Sequence, residues 1–135
     1  MKLLPKNVLA IDDSLTLRKF IEKSLAHEDC VNRLLLASDA KSGIELAEAN
    51  GYDLILLDVQ LPDIDGWTVA RHLRQYVREK RLTIVAITAN VTPEDRQACF
   101  DSGMDDFVMK PFKISTLKDV ILKYARHAPE EAPVS

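Results

Sequence analysis

Five polar side chains close four short apolar runs in this chain. Val8-Leu9-Ala10-Ile11 leads into Asp12-Asp13, and Leu54-Ile55-Leu56-Leu57 leads into Asp58. Ile84-Val85-Ala86-Ile87 leads into Thr88, and Phe107-Val108-Met109 leads into Lys110, with Pro111 behind it. Three carboxylates, a hydroxyl and an ammonium brought to one spot suit phosphoryl transfer. A carboxylate can act as nucleophile. The hydroxyl and the ammonium suit the equatorial oxygens of a transferring phosphoryl group. Carboxylates that close raise one another's pKa unless something neutralises them, and a divalent cation would do so. Few ligands, all oxygen, beside a phosphate favour Mg²⁺. Each residue alone has a plainer reading: Asp12-Asp13-Ser14 as a helix cap, Lys110 as a solvated charge. The set of five at run ends is much harder to explain that way.

The elements that must position these residues follow from the pattern between them. Short apolar runs separated by helix-like stretches read as buried parallel strands. In an open parallel sheet, ligands bind outside the carboxyl ends of the strands, at the topological switch point. Strands are expected at 8–11, 33–38, 53–58, 83–88 and 106–109. Ser14 can cap a first helix carrying Leu17, Phe20, Ile21 and Leu25, which ends near His27-Glu28. A second helix is expected from Ala40 to Asn50 with Gly51 as its stop, and a third from Trp67 to Lys80. Thr92-Pro93-Glu94-Asp95 reads as the start of a fourth: a capping threonine, proline at the first helical position, then acids in the first turn. It should end at Gly103, and a fifth helix should run from Ser115 to Arg126. Strict alternation implies a doubly wound α/β sheet with right-handed crossovers.

Composition narrows the function classes. A chain of 135 residues suits one domain. Its net charge of −3 gives no footprint for nucleic acid or an anionic membrane. No apolar stretch is long enough to insert in a membrane, and the two cysteines, Cys30 and Cys99, have no metal-ligand spacing. A cytoplasmic protein is expected, with one domain over 1–127 and a disordered acidic, proline-rich tail over 128–135.

The motifs Ile-Asp-Asp-Ser at 11–14, Leu-Asp-Val-Gln-Leu-Pro-Asp-Ile-Asp-Gly at 57–66, Ile-Thr-Ala at 87–89 and Gly-Met-Asp-Asp-Phe-Val-Met-Lys-Pro-Phe at 103–112 occur in order. Together they make the chain similar to the receiver domain of two-component response regulators, from about Asn7 to Tyr124. The resemblance implies a flavodoxin-like, five-stranded sheet of order 2-1-3-4-5 with five helices. It implies that Asp58 accepts a phosphoryl group from a histidine kinase or a histidine phosphotransferase. It also implies Mg²⁺ held by Asp13, Asp58 and the backbone carbonyl of Gln60, with Asp12 acting through water. Thr88, Ala89 and Lys110 would bind the phosphoryl group, and Phe107 would change rotamer as Thr88 moves. The face of the fourth helix, fifth strand and fifth helix would then change, around Ala98, Phe107 and Lys118, and recruit a downstream protein. Gln60 and Asn90 occupy positions that tune hydrolysis of the acyl phosphate in this family. Lys110-Pro111 is expected to be cis on the resemblance, against a base rate of about 5–6% for X–Pro bonds.

Two other readings stand beside this one. The chain reads equally as a stand-alone regulator or as the receiver segment of a hybrid histidine kinase that relays phosphate. An aspartate-nucleophile phosphatase would take Asp63-Ile64-Asp65-Gly66 as its motif, but these residues follow Leu61-Pro62 in a loop, not a strand. Outside every motif, His27, His72 and His127 are expected to be solvated, Arg18, Lys19 and Lys23 to form a wet helix face, Trp67 to pack on the sheet and Cys99 to be half-buried packing.

Overall fold

The computed structural model describes residues 6–26, 28–49, 51–76, 82–89 and 92–125. Strands and helices alternate through it: β1 (Lys6–Ile11), α1 (Leu15–Leu25), β2 (Val31–Ala37), α2 (Ala40–Ala49), β3 (Leu54–Asp58), α3 (Gly66–Tyr76), β4 (Thr83–Thr88), α4 (Pro93–Asp101), β5 (Asp106–Met109) and α5 (Ile114–Ala125). All neighbouring strands are parallel, in the order β2-β1-β3-β4-β5. The fold class, strand order and alternation are as the sequence and its resemblance implied.

Side-chain alternation along the strands divides the core into two layers. Val8, Ala10, Leu54, Leu56, Val85, Ile87 and Val108 point to one face, where Ile21 and Leu25 of α1 and Leu117 and Ile121 of α5 cover them. Leu9, Ile11, Ile55, Leu57, Ile84 and Ala86 point to the other, beneath Ala47 of α2, Val69, Ala70 and Leu73 of α3 and Cys99 of α4. β3 is buried along its whole length, which accounts for its unbroken apolar run. Trp67 packs half-buried against the second layer, as expected. Cys99 is fully buried there, deeper than the half-burial expected of it.

Some boundaries differ from the sequence reading. β2 starts at Val31 rather than Arg33, because the register with β1 shifts between Lys6 and Asn7 and admits Asn32 as an extra residue. Asn32 Nδ2 donates to Asn7 Oδ1 at 2.9 Å there. α3 starts at Gly66 because Asp65 Oδ1 accepts from Thr68 N at 2.8 Å and caps it. Residues 77–81, expected to complete that helix, lie outside the described residues, as do Asn50, Arg126 and the 128–135 tail. α4 ends at Asp101, and Gly103 follows with φ 97°, a left-handed conformation that glycine adopts without strain.

The amino-terminal end of the sheet is stitched by side chains. Asp53 Oδ2 accepts from Asn7 N at 2.8 Å, and Asp105 Oδ2 accepts from Ile84 N at 2.8 Å. Arg74 of α3 reaches the same end: Nε donates to Gly103 O at 2.7 Å, and its terminal nitrogens donate to Leu82 O and Asp105 Oδ2. At the opposite end, Gly66 packs against the turn after β3. A Cβ there would lie 2.6 Å from both Asp58 O and Val59 Cα, and neither backbone atom can move aside cheaply. Gly66→Ala is therefore expected to cost about 1–3 kcal/mol or more. Urea unfolding should show a lower midpoint at unchanged slope, whereas a wild-type midpoint would contradict this packing.

Candidate functional site

The carboxyl ends of β1, β3, β4 and β5 are held level by backbone bonds that continue the ladder past the strands. Asp12 N donates to Ala37 O at 3.0 Å, Val59 N to Ile87 O at 3.1 Å and Lys110 N to Thr88 O at 2.8 Å. The turn after β1 is built by its own polar residues. Asp12 Oδ1 accepts from Ser14 N at 2.8 Å, and Ser14 Oγ accepts from Leu17 N at 3.2 Å to cap α1. The capping role is thus real, and it coexists with the cluster: it uses one oxygen of Asp12 and leaves the other 3.3 Å from Lys110 Nζ.

Asp12 and Asp58 are buried, at 0% and 2% exposure, while Asp13 is exposed. Carboxylate oxygens of Asp12, Asp13 and Asp58 all lie within 4.8 Å of one another. Lys110 Nζ sits 3.3 Å from Asp12 Oδ2 and 3.3 Å from Asp58 Oδ2. Asp58 Oδ1 accepts from Gln60 N at 2.9 Å. The Asp58 carboxyl is pushed up to about 6, first by burial and then by the Asp12 charge, against the Gln60 N–H and the Lys110 ammonium. Burial alone would lower Lys110, but the Asp12 and Asp58 charges outweigh it and hold the ammonium above its ordinary value. Three carboxylates thus face one ammonium, and the buried Asp12 Oδ2 receives no hydrogen bond among the described residues. An oxygen-only donor set with surplus negative charge and one solvent-facing member fits a hard divalent cation such as Mg²⁺.

With this geometry in view, comparison with known proteins is decisive. The profile of the response regulator receiver domain matches residues 8–122. The chain belongs to that family. Hybrid signal transduction histidine kinase L of Dictyostelium discoideum is 42% identical over 132 residues, covering 93% of this chain and 8% of the kinase. Response regulator ArlR of Staphylococcus saprophyticus is 38% identical over 124 residues, covering 92% of this chain and 54% of the regulator. This chain therefore spans about half of one relative and a small part of the other. Among solved structures, the receiver domain of a sensor histidine kinase from Pseudomonas aeruginosa PAO1 has a TM-score of 0.76 at 30% identity, over 91% of this chain and 99% of that one. That structure has a magnesium ion coordinated in its active site cleft. Chemotaxis protein CheY4 of Vibrio cholerae has a TM-score of 0.81 at 26% identity, over 90% of this chain and 99% of its own.

The receiver domain places the remaining expected residues as follows. Thr88 is buried at the end of β4, next to the β5 end that carries Lys110, and Ala89 is exposed beyond it. The Lys110-Pro111 bond is cis. Gln60 is exposed, and Asn90 lies outside the described residues. Phe107 is half-buried on the α4 side, with the Arg96 guanidinium 5.1 Å from its ring centre. Lys118 faces elsewhere: its Nζ pairs with Glu28 Oε1 at 3.3 Å, on the side of the turn before β2. The β5–α5 junction is marked instead by Asp106, whose Oδ2 accepts from Lys123 Nζ and Tyr124 Oη, both at 3.1 Å. His72 is not simply solvated, since its Nε2 lies 2.8 Å from Glu48 Oε2; His27 and His127 fall outside the described residues. Arg18 is not part of a wet face either: its Nη1 donates to Asp12 O at 2.8 Å, clamping the acidic turn to α1. No helix among the described residues is long and apolar enough to cross a membrane.

The Asp58 value carries a pH signature. Its folded value of about 6 lies above the ordinary 3.8, so the folded chain binds this proton more tightly than the unfolded chain does. Stability from this group is complete below about 3.8 and is lost as pH rises through about 6. In metal-free buffer at pH 7.5, Asp58→Asn should therefore be more stable than wild type, by on the order of 2 kcal/mol. The gap should close as pH falls to 4. Urea titrations of both proteins across that range would reveal it, and a variant less stable than wild type at pH 7.5 would contradict it.

Proposed function

We propose that this receiver domain takes a phosphoryl group from the phosphohistidine of a histidine kinase or histidine phosphotransferase onto Asp58. The observation that carries this is one juxtaposition: a buried carboxylate at the end of the central strand, 2% exposed, with Lys110 3.3 Å away and carboxylate oxygens of Asp12 and Asp13 within 4.8 Å. The Gln60 N–H holds Asp58 Oδ1, so Oδ2 is presented to the phosphorus. An oxygen of Asp58 bonds to phosphorus, the P–N bond of the donor breaks, and its electron pair leaves with the imidazole. The product is an acyl phosphate. Lys110, already beside Oδ2, transfers its contact to a phosphoryl oxygen. The Thr88 hydroxyl at the adjoining strand end donates to another, and Ala89 lies next to it.

Asp13, Asp58 and the carbonyl of Gln60 would hold Mg²⁺, with Asp12 acting through water. The ion supplies positive charge that lets an anionic phosphoryl group approach carboxylates. The side chains of Gln60 and Asn90 would orient water toward the acyl phosphate, though neither amide can serve as a base. Asp63 and Asp65, the carboxylates a phosphatase reading would need, are engaged at the starts of α2 and α3. The proposed setting is cytoplasmic, with no direct contact to nucleic acid. The downstream partner is a protein that reads the face of α4, β5 and α5. A relay role within a hybrid kinase is the second reading, favoured by the 42% identity to a hybrid histidine kinase.

Incubation with acetyl phosphate and Mg²⁺ should add one phosphate by intact mass, and Asp58→Asn should add none. Labelling of that variant at the wild-type level would move the acceptor elsewhere. Asp13→Ala should weaken Mg²⁺ binding in a calorimetric titration, and unchanged affinity would remove Asp13 from the ion's ligands.

Phosphorylation should also alter exchange at a distance. Thr88 and Lys110 would gain contacts that exist only with the phosphoryl group, and a ligand shifts states only through such a difference. Hydrogen exchange with and without beryllofluoride should therefore change from Asn90 through the first turn of α4, and at Phe107. Changes confined to the loop after Asp58 would favour the relay reading over a regulator that recruits a target.

A further inference from the structure

Asp63 lies in the loop between β3 and α3, yet its carboxylate is spent on another element. Oδ1 accepts from Ala40 N at 2.9 Å and from its own neighbour Ile64 N at 3.0 Å. Oδ2 accepts from Lys41 N at 3.0 Å. Ala40 and Lys41 are the first two residues of α2. The helix already has a cap of its own: Asp39 Oδ1 accepts from Ser42 N at 2.8 Å and from Ser42 Oγ at 2.7 Å. Two N–H groups are left that this cap does not reach. Ala40 is fully buried, so solvent cannot readily serve its amide, and a carboxylate from a loop 23 residues away does so.

The consequence falls on the loop. Its entrance is fixed by Val59 N on Ile87 O at 3.1 Å and by Gln60 N on Asp58 Oδ1 at 2.9 Å. Its exit is fixed by Gly66 N on Val59 O at 3.0 Å and by the Asp65 cap of α3. Between them Asp63 is the anchor, and the stretch between the two fixed points runs from the Gln60 carbonyl through Leu61 and Pro62. Gln60 is the residue whose carbonyl the proposed function gives to Mg²⁺.

We propose that Asp63 is a positioning residue for the metal site: by tying the loop to the amino terminus of α2, it holds the Gln60 carbonyl where the ion needs it. This rests on the proposed function. Asp63 touches neither ion nor phosphoryl group, and it acts through three residues of backbone. Partners that hydrogen-bond a ligand directly change metal affinity by about 10–100-fold when removed, and Asp63, three residues away, should act at the lower end of that range.

The test separates positioning from capping. Asp63→Ala removes the tie. Asp63→Asn keeps one acceptor oxygen for Ala40 N and loses the acceptor for Lys41 N. Asp39→Ala uncaps α2 without touching the loop. Calorimetric titration with Mg²⁺ alone should show an affinity about tenfold weaker for Asp63→Ala, intermediate for Asp63→Asn and unchanged for Asp39→Ala. In metal-free buffer, exchange at Gln60 and Ile64 amides should rise in Asp63→Ala and not in Asp39→Ala. Phosphorylation by acetyl phosphate should slow at limiting Mg²⁺ and recover at saturating Mg²⁺. Wild-type affinity in Asp63→Ala, or an equal loss in Asp39→Ala, overturns the positioning role and leaves the metal site standing. A wild-type protein that takes up no Mg²⁺ overturns the metal site itself, and this role with it.

Discussion

Two buried carboxylates at one end of a parallel sheet set the terms for the rest of the molecule. Burying an ionised carboxylate costs several kcal/mol unless it is paired and hydrogen-bonded. Asp12 and Asp58 are both buried, and the cation that meets them is Lys110, 3.3 Å from each. Strand order makes this possible. β1 and β3 are neighbours, so their terminal aspartates converge. β5, which delivers the lysine, is separated from β3 by β4. Two strand spacings are about 10 Å, and the lysine stem spans the distance to reach both carboxylates. A shorter cation at the end of β5 would leave both carboxylates with only their backbone N–H donors and no counter-charge from that strand.

The two ends of the sheet are built on opposite principles. At the amino-terminal end, Arg74, Asp105 and Asp53 satisfy backbone groups of several strands at once. Their charges are spent on holding elements together. At the carboxyl end, charge is left over: three carboxylates, one ammonium, and a buried oxygen without a hydrogen bond among the described residues. A site needs groups whose partners are incomplete, and such groups stay in place only on a rigid support. The loops around the cluster are accordingly tied by short polar links, Ser14 N to Asp12, Arg18 to the Asp12 carbonyl and Gln60 N to Asp58.

What was legible in the sequence was whatever depends on neighbours along the chain. The apolar runs, their polar terminators, the Ser14 and Thr92 caps and the parallel class all follow from local pattern. The strand order came from resemblance, because periodicity says nothing about which strand lies beside which. Illegible were the links between segments distant in sequence. Asp63 looked like part of a loop motif and is a cap for α2. Lys118 looked like a member of the α4-β5-α5 face and pairs with Glu28 instead. Each depends on which of several partners a long or loop-borne side chain meets, and only the assembled fold decides that.

Magnitudes also favour α4 as the element that responds to phosphorylation on the proposed function. Cys99 is its one fully buried residue among those described, so α4 has a small apolar stake in the core. The visible latch between α4 and β5 is Arg96 over the Phe107 ring, an exposed cation–π contact worth about 0.5–1 kcal/mol. α5, by contrast, buries Leu117 and Ile121 and is tied to β5 through Asp106 by both Lys123 and Tyr124. Burial, and then Asp106 itself, push the Tyr124 hydroxyl up to about 12, so it stays a donor to that carboxylate at every working pH. On the proposed function, a hydrogen bond from the Thr88 hydroxyl to a charged phosphoryl oxygen would be worth about 1.5–3 kcal/mol, whereas Lys110 would exchange its carboxylate contact for a phosphoryl one. One such bond outweighs the Arg96 latch. The same energy is small against the two large residues that anchor α5. On the proposed function, displacement would therefore fall on α4 and the Phe107 ring beneath it, while the backbones of β5 and α5 would hold as the frame against which the movement is read.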